Sequence, residues 1–158
     1  MRVTLVYDSI FGNTATIAKA IAGALQSGND VRIATVQEDK TLDLADTDLL
    51  IVGSPTRGFR PTPQISEYVE SLDRVAPGKA AATFDTRIDL ETVNPSPLRW
   101  VVDAGGYAAT RVGSMLERHG FVLKGGLAGF LVTGTEGPLK AGEMERAVTW
   151  ASTLVDPA

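Results

Sequence analysis

The stretch from Val3 to Leu25 constrains this chain most. Val3-Thr4-Leu5-Val6-Tyr7 is β-branched and aromatic, and it gives way at once to Asp8-Ser9-Ile10-Phe11-Gly12-Asn13-Thr14. A short apolar run of this kind predicts a buried strand. Ile17, Ala18, Ile21, Ala22 and Leu25 follow at helical spacing and make one apolar face of an amphipathic helix. Gly28 suits the exit of that helix. A strand that turns into a helix through seven mostly polar residues puts that loop at the strand's carboxyl end and at the helix N-terminus.

The remaining sequence repeats the alternation. Val31 to Val36 predicts a second strand, at a sheet edge, and Leu42 to Ala45 a short helical turn. Leu49-Leu50-Ile51-Val52 predicts a buried strand ending at Gly53. Thr62 as N-cap and Pro63 at the first helical position open a helix with Ile65, Tyr68, Val69 and Leu72 inward. Pro77-Gly78 is a turn, and Lys79 to Phe84 a fourth strand. Residues 85 to about 104, with Pro95 and Pro97, form a long connection. A helix then runs from near Gly106 to His119, with Ala109, Val112, Met115 and Leu116 inward and Gly120 as its stop. Gly126 to Val132 is a fifth strand, and Met144, Ala147, Val148, Ala151 and Leu154 face inward on a last helix. Strands separated by helices imply parallel pairing with right-handed crossovers. The expected fold is α/β: a three-layer, doubly wound domain spanning residues 1–158, with a five-stranded parallel sheet in the order 2-1-3-4-5.

Composition narrows the function classes. The chain contains no cysteine, which excludes disulfides, thiolate metal sites, iron–sulfur clusters and a cysteine nucleophile. Fifteen basic against 19 acidic side chains give a net charge of −4, which disfavours nucleic-acid binding. No apolar run approaches the roughly 18 residues that span a bilayer, and the N-terminus shows no signal-peptide pattern. The expectation is a cytoplasmic protein with no stable membrane insertion.

In an open doubly wound sheet, ligands bind beyond the carboxyl ends of the strands. Three loops therefore carry the weight. In the first, Gly12 lets the backbone turn close to a ligand. The following helix presents unpaired N–H groups and the positive end of its dipole. Ser9, Thr14 and Asn13 with those N–H groups can wrap a phosphate without Lys or Arg; the alternative is an ordinary turn in which Ser and Thr only cap the helix. The second loop, Gly53-Ser54-Pro55-Thr56-Arg57-Gly58-Phe59-Arg60-Pro61, offers small and polar groups to a flat heterocycle. Phe59 either covers a ring face or folds into the core. Glycines at 53 and 58 imitate a nucleoside-triphosphate loop, but Phe59-Arg60 replaces the required Lys-Ser/Thr. The third loop begins Phe84-Asp85-Thr86-Arg87.

His119, the one histidine, suits a helix C-terminus rather than catalysis or a metal. No Ser-His-Asp set is brought together by this fold, and no carboxylate cluster suggests a metal site. No catalytic residue is assigned.

Leu5, Val6, Tyr7, Ser9, Gly12, Thr14, Ala18 and Ile21 match the eight constrained positions of the flavodoxin phosphate-loop signature. The stretches Gly53-Ser54-Pro55-Thr56, Phe84-Asp85-Thr86-Arg87 and Glu136 to Glu143 also resemble flavodoxin-domain proteins. The resemblance implies a flavodoxin-like fold and flavin mononucleotide (FMN) as cofactor. It implies that Ser9, Ile10, Phe11, Gly12, Asn13 and Thr14 hold the phosphate. Ser54, Pro55, Thr56, Arg57, Gly58 and Phe59 then lie along one side of the isoalloxazine ring. Asp85, Thr86 and Arg87 lie along the other, with Asp85 and Thr86 near the pyrimidine edge. Many flavodoxins stack an aromatic from this third loop on the ring; here neither Tyr nor Trp occurs before Trp100, which is expected to pack rather than stack.

Electron transfer between a reductase and an acceptor protein is the leading expectation. An FMN-dependent oxidoreductase acting on a quinone, a porphyrinogen or NAD(P)H is an alternative, and a flavin-free binding module is a second one.

Overall fold

A computed structural model describes residues 1–38, 44–57, 60–72, 78–89 and 107–155. Five strands form one sheet: β1 (Arg2–Tyr7), β2 (Asp30–Thr35), β3 (Leu49–Pro55), β4 (Ala80–Ile88) and β5 (Val122–Val132). Four helices accompany them among the described residues: α1 (Asn13–Leu25), α2 (Pro63–Glu70), α3 (Ala108–Arg118) and α4 (Glu143–Val155). The strand order is β2-β1-β3-β4-β5, and every neighbouring pair is parallel. This is the predicted doubly wound topology.

The pleat sorts the two cores. Val3, Leu5 and Tyr7 of β1, Leu49 and Ile51 of β3 and Phe84 of β4 pack against Ile17, Ile21 and Leu25 of α1 and Ala147, Ala151 and Leu154 of α4. Val6, Leu50, Val52 and Ala81 face the other way, onto Ile65 and Val69 of α2 and Val112 and Leu116 of α3. Alternation along the central strands thus buries both faces, as a parallel sheet requires. Phe84, Phe130 and Trp150 close the first core edge to face, with ring centroids 6.1–6.2 Å apart. On α2, Thr62 is the N-cap, its hydroxyl accepting from the Ile65 N–H, and Pro63 follows at the first turn, as predicted.

Four elements differ from the sequence expectation. β4 does not stop at Phe84: Asp85, Thr86, Arg87 and Ile88 continue it, pairing with Gly129, Phe130, Leu131 and Val132. β3 likewise runs two residues past Gly53, so Ser54 and Pro55 pair with Asp85 and Thr86. β5 begins at Val122, four residues early, because its register shifts: Leu123 pairs with Ala81 and Leu127 with Thr83, so Lys124, Gly125 and Gly126 bulge opposite Ala82 alone. On α4, Met144 and Val148 are exposed, 49% and 44%, although expected inward. The helix is rotated so that Glu143, Ala147, Trp150, Ala151 and Leu154 face the sheet. The helical turn expected at 42–45 falls partly, and Pro95, Pro97, Trp100 and Gly106 wholly, outside the described residues.

Candidate functional site

At the carboxyl end of β1 the backbone is held before it turns. The Asp8 N–H donates to the Gly53 carbonyl at 3.1 Å, and the buried Asp8 carboxylate accepts from the Ser9 N–H at 2.9 Å. Gly12 then reverses the chain with φ +94°, a conformation that a side chain disfavours, and α1 begins. The N–H groups of Gly12 and Ala15 converge on one oxygen, Ser9 Oγ, at 3.1 and 3.2 Å. The first turn of α1 thereby aims N–H groups at a common point, taken in this structure by Ser9 Oγ, without any Lys or Arg in the loop.

The other two expected phosphate ligands have partners within the protein. Thr14 is buried, and its hydroxyl lies 2.8 Å from that of Thr86 on β4. The Asn13 side-chain amide donates to the Glu136 carbonyl at 3.0 Å, tying the loop to the turn after β5.

Beside this loop lies a cleft of about 240 Å³. Ile10, Phe11, Asn13 and Thr14 form one wall, Pro55, Thr56 and Arg57 a second, and Thr86, Arg87 and Ile88 the floor. Val132 and Thr135 close the far side. Thr56 is fixed twice, its N–H donating to the Thr86 carbonyl at 2.9 Å and its hydroxyl accepting from the Ala108 N–H at 3.0 Å. Ile10 and Phe11 stand exposed at the rim, 49% and 45%, and the Arg57 guanidinium lies 5.4 Å from the centroid of the Phe11 ring.

The structure thus gathers Ile10, Phe11, Asn13, Thr14, Pro55, Thr56, Arg57, Thr86 and Arg87 into one cleft. Ser9 and Gly12 stand at its head, in the loop itself. Ser54 is buried below it, its hydroxyl accepting from the Thr62 N–H and donating to the Pro55 carbonyl. Asp85 is fully buried and points away from the cleft, to α3. Gly58 and Phe59 lie outside the described residues. Sequence reasoning missed Ile88, Val132 and Thr135. The rule that sites lie beyond strand ends covers all three, but only once β4 and β5 are known to run in step to Ile88 and Val132.

Two buried carboxylates brace β4 and β5, the strands behind the cleft. Asp85 accepts from Arg87 Nε at 2.7 Å, from its terminal nitrogen at 2.8 Å and from the Ala109 N–H at 2.9 Å. Burial pushes its carboxyl up, against the lowering effect of Arg87. Arg87 also stacks on the Tyr107 ring, 3.7 Å from its centroid. Glu143, at the start of α4, accepts from the Leu131 N–H at 2.6 Å and from Arg146, which also donates to the Gly129 carbonyl. The Arg146 hydrogen bonds hold the Glu143 carboxyl below its usual range despite burial, and Glu143 holds Arg146 up in turn.

Fold and cleft together define a doubly wound protein with a cleft at the carboxyl edge of its sheet, the edge at which open α/β sheets take their ligands. Comparison with known proteins makes this specific. The family model described as Flavodoxin domain matches residues 4–91, and the chain belongs to that family. Membership implies a flavin cofactor. An archaeal flavodoxin superposes with a TM-score of 0.74 at 17% identity, over 96% of this chain and 94% of that one. Flavodoxin 2 from Bacillus cereus gives 0.73 at 18% identity, over 98% and 97%. The coenzyme F420H(2) oxidase of Methanothermobacter marburgensis is 35% identical over 76 residues, 45% of this chain and 19% of the oxidase. The NAD(P)H dehydrogenase (quinone) of Archaeoglobus fulgidus is 27% identical over 157 residues, 78% of this chain and 75% of that one. The chain spans 12–19% of the length of the first three curated relatives that it matches. No helix among the described residues is long and apolar enough to cross a membrane.

Proposed function

We propose that this chain binds FMN in the cleft and carries electrons between a reductase and an acceptor protein in the cytoplasm. The observation that carries this reading is the convergence of the Gly12 and Ala15 N–H groups on Ser9 Oγ at the start of α1. A point that attracts two backbone donors suits a phosphate oxygen, and the helix dipole favours the same charge. The residues present fit the group. Ser9, Gly12, Asn13 and the first N–H groups of α1 would hold the phosphate, and Thr14 and Thr135 border the path below it. Pro55, Thr56, Arg57 and Gly58 would flank the ring on one side, with Phe11 and Phe59 as the aromatic groups near it. Thr86 and Arg87 would line its floor. Asp85 acts by holding Arg87 rather than by touching the ring.

When bound, FMN supplies the one- and two-electron chemistry; the chain supplies orientation, exclusion of water and local charge. The test is titration of the purified chain with FMN and with riboflavin, followed by flavin fluorescence. FMN is expected to bind at least about tenfold more tightly, since hydrogen bonds to a charged group are worth roughly 1.5–3 kcal/mol. Equal affinities would remove the phosphate site, and failure to take up either flavin would refute the reading.

A further inference from the structure

On the face of the sheet that carries α2 and α3, a groove of about 700 Å³ runs between the two helices. Arg60, Arg111 and Arg118 line it, with Ser66, Thr110 and Ser114 between them. Among the described residues no Asp or Glu lines it, in a chain that has 19 acidic against 15 basic side chains. The sorting follows from helix spacing. Val112, Met115 and Leu116 form the inner stripe of α3, which leaves Arg111, Ser114 and Arg118 on the adjoining outer stripe at i, i+3 and i+7. Ser66, three residues after Pro63, lines the groove from α2, and small side chains on both helices keep it open.

The acidic residues of α2 do not cancel this charge. Glu70 makes an exposed pair with Arg118 at 3.5 Å and lies 3.8 Å from His119. Pairs this open to water contribute little and exchange readily. Glu67 faces elsewhere, into a separate hollow beside Val36, Gln37 and Tyr68.

The groove also adjoins the cleft. Arg60 pairs backbone to backbone with Arg57, at 2.8 and 3.0 Å, and Arg57 lines the cleft. Tyr107 lines the groove and stacks on Arg87, which lines the cleft from the other side.

We propose that the groove between α2 and α3 docks an acidic face of a redox partner protein beside the cofactor cleft. The proposal rests on the electron-carrier reading for its purpose, but not for its charge. An extended acidic face fits better than a small anion. Arg111 and Arg118 are separated by seven residues of helix, about 10 Å at 1.5 Å per residue, and both are exposed rather than converging on one buried point. Complementary charge of this kind acts mainly on encounter and orientation.

The test has two arms. In the first, the FMN-loaded chain is mixed in stopped flow with reduced plant-type [2Fe–2S] ferredoxin, used as an acidic probe. One electron leaves the ferredoxin cluster and enters the flavin, so each ferredoxin is oxidised by one electron. The rate is expected to fall as salt rises. Arg111→Glu with Arg118→Glu should lower it at least about tenfold at low salt, with FMN affinity and reduction by dithionite unchanged. If the double variant does not fold, Arg118→Gln replaces it and should slow the reaction about threefold. A ferredoxin rate indifferent to these substitutions overturns the proposal. The second arm needs no flavin: a fluorescein-labelled, glutamate-rich 15-residue peptide is titrated against the chain by anisotropy. Binding that the same substitutions abolish supports the groove even if the chain takes up no FMN, in which case only the electron-carrier reading falls. Peptide binding that they leave unchanged overturns it. So does NADPH binding that they abolish with no peptide bound, which would assign the groove to a small anion.

Discussion

The guanidinium of Arg87 fills the space beside Gly129 in which a Cβ would stand. Two adjacent strands are thereby interlocked: β5 can pass only because it has no side chain there, and β4 keeps its arginine turned back on Asp85. Asp85 is wholly buried, so its charge depends on that arginine.

Gly129→Ala should therefore act through Asp85. Displacing Arg87 leaves a buried carboxylate short of its main partner, and a loss of about 2–4 kcal/mol is expected. Arg87→Ala should cost a similar amount, and the double variant should cost much less than the sum. Urea unfolding of the three variants checks this; simple additivity would show that the two residues are not coupled.

Glu143 sets an acid dependence. Its carboxyl lies below the usual range because Arg146 hydrogen-bonds it, so the folded chain releases that proton at lower pH than the unfolded chain. The stabilisation is complete above the unfolded value, about 4.3, and is lost as pH falls through the folded one. Glu143→Gln should be destabilised relative to the native chain at about pH 6, with the gap closing towards about pH 3. A gap that stays constant over urea midpoints in that range would show that Glu143 contributes no such linkage.

Two duties of Thr14, one structural and one towards a phosphate, can be tested separately. Its hydroxyl meets that of Thr86 in a buried position, so Thr14→Val should cost about 1–2 kcal/mol by orphaning Thr86. Thr14→Val with Thr86→Val should recover much of that loss. If Thr14 also serves the phosphate, FMN affinity should stay low in the double variant while riboflavin affinity returns. Recovery of both together would limit Thr14 to a structural role.

Phe11 and the arginines give a third readout, on the ring. Phe11→Ala should weaken riboflavin and FMN equally, by about tenfold, since aromatic stacking is worth about 0.5–1.5 kcal/mol beyond the area it covers. Stability should change by less than about 0.5 kcal/mol at so exposed a position. Arg57→Ala should lower the reduction potential of bound flavin more than Arg87→Ala. Arg57 stands exposed at the cleft, whereas the charge of Arg87 is matched by Asp85. Potentiometric titration reversing that order would make Arg87 the main charge acting on the flavin.

The parts legible in the sequence are those set by neighbours a few residues apart. The apolar runs at 3–7 and 49–52 and the helical stripe at 17–25 each carry their own period, and together they dictate the topology. The polar end of β4 does not. Asp85-Thr86-Arg87 looks like a loop until Ala109, 24 residues on, donates to Asp85 and Tyr107 covers Arg87. The rotation of α4 is likewise decided at a distance. Trp150 binds the Gly125 carbonyl at 2.8 Å and packs on Phe84 and Phe130, and this turns Met144 and Val148 to water. Thr135, in the turn after β5, could not be placed from the sequence because the pairing of Val132 with Ile88, which brings that turn to the cleft, is set across the sheet.

The excursion at Lys124, Gly125 and Gly126 has an engineering consequence. β5 already carries two residues more than β4 requires there, yet one-to-one pairing resumes beyond it in a register shifted by two, with Trp150 of α4 holding the bulge at the Gly125 carbonyl. Because β5 is an edge strand in a parallel sheet, this bulge lies near its amino end, away from the end that meets the cleft. Loop closure grows costly only slowly with length. A tag, a fluorophore-bearing segment or a small folded module spliced between Gly125 and Gly126 would extend outward from a site that the sheet has learned to bypass. The molecule can be lengthened at one pole and read out at the other.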